Sequence, residues 1–121
     1  MKSIDIHQQK GERFRVIATT ERTQLGVMTL PAGQASNNPE GHPTADNVTY
    51  VVEGRVEVHI GDETRELRAG EVVVIPSGTP HRIRAVGRRP ATVFQVFGPP
   101  AYPAEETETE EAVVVEATPV P

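Results

Sequence analysis

Gly70-Glu-Val-Val-Val-Ile-Pro76-Ser-Gly78-Thr-Pro-His81 is the stretch that decides the fold of this chain. It has the form G-x5-P-x-G-x2-H. Gly70 permits a tight turn into a strand. The β-branched run at 72–75 has the composition of a well-buried strand. Pro76, Ser77 and Gly78 end that strand and turn the chain. His81 then opens the segment His-Arg-Ile-Arg-Ala. Strand alternation puts His81, Ile83 and Ala85 on one face and Arg82 and Arg84 on the other. A histidine is thus expected among apolar side chains, where a lone histidine is most simply a satisfied core residue.

The chain on either side reads as more short strands. Residues 14–18 and 25–30 form two, separated by a polar stretch, and Pro31-Ala-Gly33 ends the second. Residues 34–46 are rich in Gln, Ser, Asn, Pro and Gly and read as a loop. Residues 48–52 form a strand and Glu53-Gly54 a turn. Val56, Val58 and Ile60 then alternate with Arg55, Glu57 and His59, a half-buried strand that leaves His59 exposed. Gly61-Asp62-Glu63 is a hairpin turn, 64–67 the returning strand, and 91–97 the last strand, after a turn at Gly87-Arg-Arg-Pro90. Ile4 and Ile6 suggest a short edge strand at the N-terminus, with His7 on the surface. No window has a helical period. Turn signals recur about every eight to twelve residues, which predicts an all-β sandwich or barrel.

His81 has company upstream: Gly33, Glu40-Gly-His42, Asn47 and Gly54. Together with Gly70, Pro76, Gly78 and His81, these residues resemble the cupin superfamily. Its pattern is an opening glycine, then H-x-H-x(3,4)-E-x6-G, and later G-x5-P-x-G-x2-H-x3-N. The second half departs at Ala85, where the family has Asn. The first half departs at Glu40, in place of the first His, and at Asn47, in place of the Glu. The four-point match from Gly70 has odds of roughly one in a thousand by chance at ordinary residue frequencies. The resemblance covers about residues 31–85. It implies a jelly-roll barrel, the double-stranded β-helix, as a single all-β domain over 1–100.

The resemblance also implies a metal site at Glu40, His42, Asn47 and His81. Two imidazoles with one carboxylate and open positions make a reasonable site for Mn(II), Fe(II), Ni(II) or Zn(II). On an extended segment Glu40 and His42 would point the same way. If Glu40 is not a ligand, it becomes the candidate general base. Asp46 reads as a loop cap, Tyr50 as facing away from Asn47, and Gln95 as a residue of undetermined face.

Composition excludes several classes of function. The 121 residues contain no cysteine, so disulfides and thiolate metal sites are ruled out. The net charge of −5 comes from one region: without Glu105, Glu106, Glu108, Glu110, Glu111 and Glu116 it is about +1. No basic stripe with interleaved aromatics suggests nucleic acid. No apolar segment suggests a signal peptide or a membrane span, so a cytoplasmic protein is expected. Residues 101–121 read as an acidic, solvated tail, with Ala112-Val-Val-Val115 as a possible extra strand docked on a sheet edge. Exposed sheet edges suggest a homodimer. Three functions remain: a metal-dependent dioxygenase, isomerase or cyclase acting on a small oxygenated metabolite, a barrel that binds or senses a small ligand, and a storage protein.

Overall fold

Alternating apolar residues give each strand one buried face, and two sheets close over those faces. The computed structural model describes residues 1–37 and 39–108. After a 3-10 turn at Ile6–Gln8 come β1 (Phe14–Thr19), β2 (Gln24–Leu30), β3 (Asp46–Glu53), β4 (Arg55–Ile60), β5 (Glu63–Arg68), β6 (Val72–Ile75), β7 (His81–Ala85), β8 (Ala91–Gly98) and β9 (Thr107–Glu108). One sheet has the order β6-β3-β8-β2-β1-β9, the other β5-β4-β7. All of the strand pairings are antiparallel. Leu30, Val51, Val56 and Ile83 are fully buried between the sheets. Among the described residues no helix is long and apolar enough to cross a membrane.

From β1 to β8 the expected strands are present, most with an end extended by a residue or two. Gly70 and Gly78 both have positive φ, as turns at either end of β6 require. His81, Ile83 and Ala85 are buried, while Arg82 and Arg84 are exposed.

Two expectations fail. The run at 72–75 is not well buried: Val72 is 53% and Val74 61% exposed. β6 is the edge of the six-stranded sheet, so only Val73 and Ile75 face inward. A run of valines has no alternation to reveal this. The N-terminal edge strand is also absent. Asp5 accepts a hydrogen bond from the His7 backbone N–H at 3.0 Å and caps the 3-10 turn instead.

Beyond β8 the chain stays on the barrel as far as the described residues reach. Ala101 is buried, and Thr107–Glu108 pairs with β1 at Phe14 and Arg15. Gln24 holds this crossing segment. Its side-chain Oε1 accepts from Ala101 N and Tyr102 N at 3.0 and 2.9 Å, and its Nε2 donates to Tyr102 O at 2.9 Å. The expected strand at Ala112-Val-Val-Val115 lies outside the described residues.

Candidate metal and ligand site

Two loops deliver the two buried histidines. The His81 N–H donates to the Pro39 carbonyl at 2.9 Å, and the Gly78 N–H donates to the His42 carbonyl at 2.6 Å. Gly41 sits between these bonds with φ +83°, where a Cβ would meet the Thr79 carbonyl. Only glycine allows the loops to lie this close. The loops that carry His42 and His81 are thereby held together.

His81 is buried at the start of β7, and its Nδ1 lies 3.1 Å from the Thr79 carbonyl. A carbonyl can only accept, so Nδ1 carries the proton and Nε2 keeps its lone pair. His42 is 5% exposed. Its ring meets Phe97 edge-on at 5.2 Å and Tyr102 at 5.0 Å. Burial, and then the neighbouring His81, push the His42 pKa down to about 4. Burial also lowers that of His81, against the opposing bond to Thr79. Both rings are therefore neutral at pH 7, the form that ligates metal.

A chain of buried polar side chains lies on the inner face of β3 and β8. Gln95 Nε2 donates to Thr49 Oγ1 at 3.1 Å, and the Thr49 hydroxyl donates to Asn47 Oδ1 at 2.9 Å. Asn47 is 1% exposed, and its Nδ2 has no hydrogen-bond partner. A buried, unpaired donor is costly unless something accepts from it, so this amide suits an oxygen-bearing ligand. Gln95, whose face the sequence left open, points inward and holds the chain. Tyr50 faces outward, as alternation required.

Of the four expected metal ligands, His42, Asn47 and His81 are buried, but Glu40 is exposed in the turn before Gly41. Among the described residues no three side chains of His, Cys, Asp or Glu gather for a metal ion. The spacing of Glu40 and His42 placed both on one face only if the segment is extended. The positive φ of Gly41 breaks that geometry.

The residue that sequence reasoning missed is Tyr102. Its hydroxyl lies 3.3 Å from His42 Nε2, and its ring packs on Phe14 at 4.6 Å and Phe97 at 5.4 Å. The only local cue was an aromatic residue set among prolines. Its position depends on Gln24, 78 residues away in sequence.

The fold agrees with comparison to known proteins. A model of the cupin domain matches residues 26–97. The chain is 34% identical over 105 residues to the polyketide synthase CurC of Streptomyces cyaneus, covering 82% of this chain and 67% of that one. It is 33% identical over 102 residues to the tetracenomycin polyketide synthase protein TcmJ of Streptomyces glaucescens, covering 79% and 68%. It thus spans about two thirds of the length of both relatives. Among solved structures, BH2720 from Bacillus halodurans superposes with a TM-score of 0.83 at 25% identity, covering 89% of this chain and 88% of that one. The barrel and these matches lead to one conclusion: the chain belongs to the cupin-domain family.

Proposed function

We propose that this barrel holds a divalent metal ion at His42 and His81 and acts on a small oxygenated metabolite in a dioxygenase, isomerase or cyclase type of reaction. The observation that carries the reading is a pair of neutral, buried imidazoles on two loops that hydrogen-bond to each other, with His81 near enough to lower the His42 pKa. Mn, Fe, Ni and Zn all suit such nitrogen donors. A bound ion would supply Lewis acidity to a carbonyl or enediol oxygen. The chain's own residues do the rest. Asn47 Nδ2 donates to a ligand oxygen, while Thr49 and Gln95 keep that amide from rotating. Phe14 and Phe97 exclude water on the His42 side. The names of CurC and TcmJ favour an oxygenated carbon skeleton as the ligand.

The second reading is a barrel that binds a small ligand without turnover. It is favoured by the absence, among the described residues, of a carboxylate joined to the two histidines. Elemental analysis separates the two. Near-stoichiometric Mn, Fe, Ni or Zn is expected in the wild type and less than a tenth of it in His81→Ala. No metal in either protein, after incubation with each ion, would leave the non-catalytic binder.

We further propose that a second copy of the chain covers the outer face of β3 and β6. Tyr50 and Val72 pair there, as do Val48 and Val74, and Tyr50, Val72 and Val74 are exposed. None of these side chains is charged, in a chain that is 24% charged overall. A second copy brings an equally uncharged face. Light scattering should report a dimer for the wild type and a monomer for Val74→Glu. A wild type that stays monomeric at tens of micromolar would refute the pairing.

A further inference from the structure

We propose that the acidic run at the C-terminal side of this chain, through Glu110, Glu111 and Glu116, lies across the arginine-rich outer face of β4, β5 and β7. The inference is independent of the metal reading. Arg55, Arg68, Arg82 and Arg84 stand on that face, with Arg88 and Arg89 in the turn after β7, and all six are exposed. Glu57 and Glu66 are the carboxylates that these three strands set among them. Arg55 pairs with Glu66 at 2.7 Å. Arg84 pairs with Glu57 at 2.9 Å, a carboxylate it shares with His59 at 3.1 Å. Among the described residues no carboxylate pairs with the side chain of Arg68, Arg82, Arg88 or Arg89. The turn belongs to the same surface. The Val86 N–H donates to the Arg55 carbonyl at 3.1 Å, and a Cβ on Gly87 would meet the Arg55 guanidinium. A chain of net charge −5 thus gathers positive charge on one sheet face, where it attracts an anionic segment.

The end of the described chain selects the occupant. Residues 34–36 run beside β7. The Ala85 N–H donates to the Gln34 carbonyl at 2.9 Å, the Ser36 N–H to the Ile83 carbonyl at 2.7 Å, and Ala35 lies opposite Arg84. The next bond from β7, from the His81 N–H, goes to the Pro39 carbonyl, so Asn37 falls beside Arg82. Asn37 Nδ2 donates to Glu108 Oε1 at 3.1 Å. Glu108, the last described residue, is therefore tied to the margin of the arginine face. The sequence beyond it carries Glu110, Glu111 and Glu116, and no Lys or Arg follows Arg89.

Length and tethering favour this occupant over an outside one. An extended chain advances about 3.3 Å per residue. Glu110 and Glu111 therefore reach Arg82 and Arg84, and Glu116, up to about 26 Å from Glu108, reaches the turn of Arg88 and Arg89. Exposed ion pairs are weak singly, about 0–1 kcal/mol each. A short tether raises the effective concentration to about millimolar, so several weak pairs suffice for a segment of the same chain. Held there, the segment closes the arginine face to other acidic chains, which have to displace it to bind.

The test is paramagnetic broadening in the full chain. Because the chain has no cysteine, Ala117→Cys gives a single site for a nitroxide label. Backbone amide signals are compared with the nitroxide oxidised and reduced. Amides of β7 and of the turn at 87–90 should fall to less than half intensity. Adding Arg82→Glu and Arg89→Glu, both at exposed positions, should restore most of that intensity. So should 1 M salt, at which charges are screened beyond about 3 Å. Full intensity over β7 and the turn in the wild-type background would overturn the proposal. So would broadening at 10–13 instead, which would mean that the segment continues along β1. Broadening that survives both charge reversal and salt would show that the arginines do not hold it. In an equimolar mixture of isotope-labelled chain and separately spin-labelled chain, no broadening of β7 is expected. Broadening there would assign the face to the acidic run of a second copy and overturn the contact within one chain.

Discussion

Replacing Gln24 with alanine is expected to lower folding stability by about 3 kcal/mol, with a fall in Tm on the order of 10 °C. Gln24 is 0% exposed and uses every hydrogen-bonding atom of its amide that faces the crossing segment. Truncation would leave Ala101 N, Tyr102 N and Tyr102 O without their partner, and Thr19 Oγ1 without its 3.0 Å bond. Each buried group left unpaired costs about 1–3 kcal/mol, less what entering water recovers. Gln24→Glu is expected to be nearly as harmful. It keeps an acceptor for the two amides but sets a second oxygen against the Tyr102 carbonyl. Chemical denaturation gives the stability, and hydrogen exchange at Ala101 and Tyr102 locates the damage. Unchanged protection at those two amides would show that Gln24 does not hold the segment.

The metal-free protein should lose stability as the pH falls from about 6.5 toward 4, by at most about 3 kcal/mol from His42 alone. The folded pKa of His42 lies below its ordinary value, so the unfolded chain takes up the proton first. The stability held above pH 6.5 is therefore lost as the pH drops through the folded value of about 4. His81 adds to the loss, because burial lowers its pKa as well. Glu108 acts in the opposite sense. Burial raises its carboxyl, so it favours the folded state as it becomes protonated. Glu53 and Glu57, lowered by their bonds to Lys10 and Arg84, act only below the ordinary carboxylate range. The measurement is denaturation in the presence of chelator at pH 7, 6 and 5, on wild type and His42→Gln. A smaller slope in the variant is expected. Identical slopes would mean that His42 takes up its proton equally well in the folded chain.

The two predictions test opposite ends of one construction. Gln24 fixes the crossing segment, the segment carries Tyr102, and Tyr102 contacts His42. The loop that carries His42 is in turn hydrogen-bonded to the one that leads into His81. A change at Gln24 should therefore also weaken metal retention if the proposed metal reading holds, although Gln24 itself does not touch either histidine.

Much of the fold was legible in the sequence. Strand positions followed from alternation at Val56, Val58 and Ile60 and from the punctuation at Gly70, Pro76 and Gly78. Each depends only on neighbours a few residues away. The inward face of His81 followed in the same way. The exposure of Val72 and Val74 did not, because a run of one residue type has no period and only strand order decides which strand is an edge. Glu40 misled for a related reason: its partnership with His42 assumed an extended backbone that Gly41 does not adopt.

By itself, then, the sequence determined an all-β sandwich or barrel, its turns and the inward face of His81, because these are consequences of local backbone geometry and patterning, while His42 and Asn47 were singled out only by the resemblance. Only the tertiary structure decided which of those residues meet. It turned Glu40 out, left Asn47 Nδ2 unpaired in the interior, and brought Tyr102 over His42 from 60 residues away. Such contacts join segments distant in sequence. They depend on how two sheets close and on one buried glutamine, and no local pattern encodes either.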